Sequence, residues 1–113
     1  MEDEILGAGR VIAAAGGGVP VEWFRAPGGA WSPQIVELAA THGMQPLGWT
    51  VDPRDWARPG ADAIVTFVQK EVRGGAIILL HDGGGPREQT VAALEQLIPW
   101  LADRGYRFGF PVP

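Results

Sequence analysis

The sequence predicts an α/β fold of parallel strands joined by helical crossovers, and three observations carry that prediction. Short apolar, β-branched or aromatic runs are centred near residues 23, 49, 79 and 108, a spacing of roughly thirty residues that suits strand–helix repeats. Segments with apolar residues at helical spacing lie between them. The run Ala76-Ile77-Ile78-Leu79-Leu80 has no polar alternation, as in strands covered on both faces, and it ends abruptly in His81-Asp82-Gly83. Such a repeat builds either an open doubly wound sheet or an arc of a β/α barrel, and in both the ligand sits at the carboxyl ends of the strands.

Residues 3–15 place Ile5, Ala8, Val11 or Ile12 and Ala15 at helical spacing, and Gly16 to Gly18 end the segment. Residues 21–25 read as a strand between Pro20 and Pro27. Ser32-Pro33 starts the next helix, with a hydroxyl able to cap and a proline where its missing donor costs nothing. That helix carries Ile35, Leu38 and Ala39 on one face and stops at Gly43. Residues 45–51 read as a second strand, followed by the polar loop Asp52-Pro53-Arg54-Asp55-Trp56. From about Asp62, the set Ile64, Val65, Phe67, Val68 and Val72 predicts a helix ending at Gly74-Gly75. The strand 76–80 follows. Residues 90–103 then place Val91, Leu94, Leu97, Ile98 and Leu101 on one helical face, with Pro99 a local conflict. Residues 106–110 read as a last strand.

Length and composition bound the function. A chain of 113 residues is one domain or part of one, well short of the about 250 residues of a complete barrel. Nine Lys and Arg, scattered singly in a chain of net charge −4, give no basic stripe for nucleic acid. No window reaches the roughly eighteen apolar residues of a membrane span, and the acidic start Met1-Glu2-Asp3-Glu4 is unlike a secretory leader. The compartment stays open. Without Cys there are no disulfides and no thiolate chemistry.

The strand ends, taken in turn, offer Arg25, then Asp52 and Asp55, then His81 and Asp82. An imidazole beside a carboxylate is held in one tautomer and can act as a general acid, and both Asp55 and Asp82 are candidate partners for His81. Arg25 can orient another carboxylate through a two-pronged bond, or form a rim salt bridge. No nucleophile is placed, since Ser32 reads as a cap and Thr50 has no evident base. A catalytic zinc takes three protein ligands and the chain has only His42 and His81. His42 suits the last turn of its helix. The triple glycine 83–85 could cradle a phosphate but lacks the residues of a P-loop. Of five Trp, Trp31 and Trp56 fall in loops where they can stack on a sugar or a lipid-like group, whereas Trp23, Trp49 and Trp100 are assigned to the core.

Four stretches, in order and spacing, carry a resemblance. They are Arg25-Ala26-Pro27-Gly28-Gly29, Asp52-Pro53-Arg54-Asp55-Trp56, Ile78-Leu79-Leu80-His81-Asp82, and Thr90 through Leu101 to Arg104-Gly105-Tyr106-Arg107-Phe108. They resemble the last three motifs and the terminal helix and strand of NodB-like polysaccharide deacetylases, the family 4 carbohydrate esterases. The resemblance implies the C-terminal half of a distorted β/α barrel, with residues 1–113 forming one partial domain. It also implies metal-dependent removal of acetyl groups from N- or O-acetylated glycans, with a divalent metal, zinc foremost. By the same resemblance His81 is the general acid, Asp55 the carboxylate that tunes it and Arg25 the group that holds the catalytic base. Trp56 and Trp31 would bind substrate, and Leu79 would line the pocket for the acetyl methyl. Such enzymes are commonly secreted or in the cell envelope.

Two departures stand out. Gly28 stands where the family usually has an aromatic residue. The family's first two motifs, an Asp-Asp pair and a His-x-x-x-His that supply the base and the metal ligands, do not occur in the sequence. The resemblance therefore implies a half-site, inactive alone, that needs a complementary N-terminal half. Open edges at strands 21–25 and 106–110 would favour pairing with that half or self-association. The alternatives are a catalytically dead carbohydrate-binding module using Trp31 and Trp56, and a phosphate-binding domain using the triple glycine.

Overall fold

The computed structural model describes residues 2–112. They pack as two compact units, one running to Gly48 and taking in Pro111, the other spanning Trp49–Phe110.

The first unit begins with α1, Glu2–Ala15, whose first turn carries Glu2, Asp3 and Glu4, negative charges placed where the helix dipole favours them. A two-residue strand, β1 (Trp23–Phe24), follows, then a 3₁₀ turn over Pro27–Gly29 and helix α2, Pro33–Thr41. Ser32 caps α2, its hydroxyl accepting from Ile35 N–H at 3.2 Å. Beyond α2, Gly43 turns left-handed with φ 77°, and the Met44 and Gly43 amides return to the Ala39 and Ala40 carbonyls in a Schellman closure. That closure aims the chain back into β2, Gln45–Pro46, which pairs parallel with β1, Trp23 opposite Gln45. Ile5, Ala39 and Met44 form the buried core of this unit, with Val21, Phe24 and Leu38 packed against it.

The second unit rests on two helices, α3 (Ala61–Glu71) and α4 (Glu88–Asp103), which pack together. The Gly60 amide, at the head of α3, donates to Gln89 Oε1 at 2.7 Å and fixes their register. Val51, Ile64, Val65, Val68, Ala93, Leu97 and Leu101 are the core, and Ala76, Ile78 and Leu80 pack on it. Gly105, with φ 85°, closes α4 in the same way as Gly43 closes α2, Tyr106 N–H returning to the Leu101 carbonyl at 3.0 Å.

Helices agree with the sequence to within a residue or two, and strands do not. The expected strand 45–51 is broken. Only Gln45–Pro46 pairs in the first unit, Pro46 has no amide to extend the ladder, and Val51 makes a single parallel pairing with Ile78 in the second. The run 76–80 was expected to be buried on both faces, but all five residues are half-buried. Residues 106–110 form no strand, and Phe110 is 96% exposed. A strand is closed by its neighbours' hydrogen bonds, and among the described residues 76–80 has them only along Thr50 and Val51, while 106–110 has none to a neighbouring strand. The expected α4 face also needs correction. Thr90, Ala93, Leu97 and Leu101 are buried, while Val91 and Ile98 are exposed, because small Ala93 and hydrogen-bonded Thr90 let the helix approach closely where larger residues were counted. The Val11 and Ile12 side of α1 is likewise exposed. Pro99 does not interrupt α4. It lies with Glu95 on the exposed face, where water can take the carbonyl that its missing amide leaves unpaired. Trp23, Trp49 and Trp100, assigned to the core, are half-buried.

The observed α4 register sets an expectation for stability. Leu97→Ala should cost about 3 kcal/mol in denaturant titration, whereas Val91→Ala should stay within about 0.5 kcal/mol. Equal losses would contradict the register.

Candidate active site

Asp55 is where the second unit gathers its polar groups. Val51 N–H donates to the Ile77 carbonyl at 3.1 Å and Leu79 N–H to the Val51 carbonyl at 2.9 Å, so the segment before Asp55 lies alongside the segment before His81. Thr50 reinforces the pairing, its hydroxyl accepting from Ile77 N–H at 2.9 Å. Past Val51, Asp52 Oδ1 accepts from Arg54 N–H at 2.9 Å, an Asx turn that reverses the chain. A 3₁₀ turn, Asp55–Ala57, follows, flanked by two non-glycine residues in left-handed conformation, Arg54 (φ 54°) and Arg58 (φ 53°). Such residues persist only where surrounding contacts hold them, and here Asp55 supplies those contacts.

The Asp55 carboxylate is 1% exposed and accepts three hydrogen bonds. Oδ1 lies 2.7 Å from His81 Nδ1, and Oδ2 takes the His81 backbone N–H at 2.8 Å and the Thr90 hydroxyl at 2.8 Å. Burial pushes the carboxyl up. The bonds from the His81 ring, the His81 amide and Thr90, with the charge of His81, outweigh it and hold the group below its ordinary 3.8. An ionised carboxylate only accepts, so Nδ1 of His81 carries a proton and Nε2 is the nitrogen left for chemistry. The His81 side chain is 37% exposed, which leaves Nε2 a route to a ligand.

Of the two carboxylates considered beside His81, Asp55 is the partner, and Asp82 is exposed. Trp56 follows Asp55 in the turn and is 47% exposed, with the Arg54 guanidinium 5.0 Å from its ring centroid. Ala76, Ile78 and Leu80 face the helices, so pleat alternation puts Leu79 on the opposite face. Arg25 and Trp31 belong to the first unit. Arg25 donates to the Leu47 and Gly48 carbonyls at 2.9 and 3.0 Å, and Trp31 stands edge-on to Phe24, centroids 6.1 Å apart. His42 ends α2 and lies 3.1 Å from Glu2.

Two residues escaped the sequence reading. Thr90 is the polar head of the buried stripe Thr90, Ala93, Leu97 and Leu101, and a hydroxyl in a core register signals a partner waiting for it. Arg87 donates to the Gly83 and Gly84 carbonyls at 2.8 and 3.3 Å and to the Trp56 carbonyl at 3.4 Å. The glycine loop thus turns carbonyls toward a cation, the reverse of the polarity a phosphate cradle needs. Among the described residues, no three His, Asp or Glu side chains gather closely enough to hold a metal ion. No helix among them is long and apolar enough to cross a membrane.

Comparison with known proteins bears on the chain as a whole. No family model matches the chain. It is 47% identical to a chitooligosaccharide deacetylase of Sinorhizobium fredii over 94% of its own length and 54% of that protein's. A family 4 carbohydrate esterase from Streptomyces lividans, solved with acetate, superposes on 96% of the chain and 54% of its own, with TM-score 0.84 and 34% identity. By these matches the chain is similar to the NodB-like family 4 carbohydrate esterases. It corresponds to their C-terminal part and spans about half the length of the curated relatives it matches. The family is one of polysaccharide deacetylases, generally metal-dependent, and it includes pseudoenzymes. One of these, from Bacillus anthracis, matches 95% of the chain and 38% of its own at TM-score 0.81 and 34% identity.

The lowered Asp55 carboxyl sets a pH dependence. In the folded state it binds its proton less readily than in the unfolded chain, so its stabilisation is complete above the ordinary 3.8 and is lost as pH falls through the folded value. Thr90→Val removes one donor. Urea titrations from neutral to acid pH should show this variant about 1–2 kcal/mol less stable at neutral pH, with a shallower loss on acidification than the unaltered chain. An unchanged acid limb would contradict the assigned cradle.

Proposed function

We propose that this chain carries the general-acid side of a deacetylase site acting on acetylated glycans, and that it is inactive without a complementary N-terminal half. The observation that supports the reading most is the buried Asp55 carboxylate bonded to His81 Nδ1, which leaves Nε2 as the one ring nitrogen free to deliver a proton. When the acetyl carbonyl has been attacked by water and the tetrahedral centre collapses, the C–N or C–O bond to the sugar breaks. Nε2–H then gives its proton to the departing nitrogen or oxygen. Acetate leaves, His81 becomes neutral, and it recovers a proton from solvent. Asp55 keeps its charge throughout, which stabilises the imidazolium and fixes its orientation.

Arg25 is assigned to hold the base that the other half provides, Trp56 and Trp31 to bind sugar, and Leu79 to face the acetyl methyl. The divalent ion, zinc by the resemblance, would be held by groups outside this chain, which offers no three-ligand cluster among its described residues. When bound there it would polarise the acetyl carbonyl and the attacking water. A pure binding module on Trp31 and Trp56 has less support, since Trp31 packs against Phe24 and the buried acid pair would then have no task.

The test is acetate release from an acetylated chito-oligosaccharide with zinc or cobalt, by the chain alone and mixed with a family N-terminal half. The chain alone should release none, the mixture should turn over, and His81→Ala should lower the mixture's rate by about a hundredfold or more. Turnover by the chain alone, or turnover that survives His81→Ala, would sink the assignment.

A further inference from the structure

The segment that runs from Asp55 through Trp56 to Gly60 is held at three points by the start of α4. Thr90 donates to Asp55 Oδ2 at 2.8 Å, and Gln89 Oε1 accepts from Gly60 N–H at 2.7 Å. Arg87, the residue that precedes α4, donates from Nη1 to the Trp56 carbonyl at 3.4 Å. The Thr90 and Gln89 side chains serve this segment alone. Arg87 reaches further, because its Nε and Nη2 donate to the Gly83 and Gly84 carbonyls at 2.8 and 3.3 Å. One guanidinium therefore joins the loop that leaves His81 to the turn that carries Trp56. Among the described residues no carboxylate lies within ion-pair distance of Arg87, and its three nitrogens all face carbonyls.

We propose that Arg87 is a positioning residue whose planar fork pins the Trp56 turn to the 83–85 loop, so that the exposed indole is set in place before a ligand arrives. The role assigned to Arg87 rests on the reading of Trp56 as a sugar-binding residue. Trp56 needs such support, since its ring is 47% exposed and its turn is flanked by left-handed Arg54 and Arg58, a conformation that lasts only while contacts hold it. Between Asp55 and Gly60, among the described residues, Arg87 is the one side chain that bonds to the turn from outside it. A bond of 3.4 Å is weak alone. Its leverage comes from the shorter bonds of Thr90 and Gln89, which bring the first turn of α4 against the same segment. Shape matters here more than charge. A lysine would carry the same charge on one nitrogen and could not reproduce a fork spread over two segments. No bond of the fork goes to Asp55 or to the His81 ring, so Arg87 governs where Trp56 lies and leaves the aim of the imidazole to Asp55.

Amide exchange in the chain itself tests the tether. Ala57 and Arg58 N–H close the 3₁₀ turn on the Arg54 and Asp55 carbonyls at 3.0 and 2.9 Å. In Arg87→Ala both should exchange about fivefold faster or more, while Leu79 N–H, bonded to the Val51 carbonyl, should exchange as before. Arg87→Lys should behave like Arg87→Ala. The second measurement is acetate release from an acetylated chito-oligosaccharide by the chain mixed with a family N-terminal half. There Arg87→Ala should raise KM about fivefold or more with kcat within about twofold, and the rise should vanish when Trp56 is already replaced by Ala. Unchanged exchange at Ala57 and Arg58, or full rescue by Arg87→Lys, overturns the tether. A fall in kcat with KM unmoved overturns it as well, since Arg87 would then act on the acid. An unaltered mixture that does not turn over sinks the deacetylase reading, and the exchange measurements still decide the tether.

Discussion

The Asp55 carboxylate is the constraint to which the second unit answers. A charge that is 1% exposed is tolerable only if nearly all its acceptor capacity is used, and the three donors come from two separate places, the end of the 76–80 run and the first turn of α4. The carboxylate can reach both only if the Asp52 turn reverses the chain immediately after Val51. That demand explains the left-handed Arg54 and Arg58, which have no glycine freedom to excuse them. Removing the carboxylate would leave a hydroxyl, an amide and an imidazole N–H without partners in a dry place, so the turn, the strand end and the helix stand or fall together.

What the sequence made legible divides along the same physical line. Helices satisfy their hydrogen bonds internally, so spacing and caps identified them. Ser32-Pro33 caps α2, and Gly43 and Gly105 close two helices with the same amide-to-carbonyl return. Strands depend on what lies beside them. Residues 106–110 have strand composition and alternate Tyr106, Phe108 and Phe110, yet they form no strand without a neighbour. The α4 face was misjudged for a related reason. Side-chain size favoured Val91 and Ile98, whereas close helix approach favours Ala93, and Thr90 is buried because Asp55 accepts its hydroxyl.

The candidate site follows the same division. His81 and its carboxylate partner were readable as a pair because both end apolar runs with chemistry-bearing residues, and only the choice between Asp55 and Asp82 needed coordinates. Thr90 and Arg87 were not readable. Their roles are defined by acceptors more than thirty residues away in sequence for Thr90, and by the Gly83, Gly84 and Trp56 carbonyls for Arg87. The Thr90 acceptor is distant, and the Gly83 and Gly84 carbonyls, though near in sequence, are backbone groups that no residue type marks.

Placement of the acid pair within one unit has a mechanistic consequence. Every bond that fixes the His81 tautomer comes from residues 55 to 90, all inside the Trp49–Phe110 unit. The His81 ring is therefore oriented by this unit alone, and in the proposed reading that orients the general acid. Preorganisation of this kind means that the cost of aiming the proton donor is met in folding the unit and does not recur at the transition state.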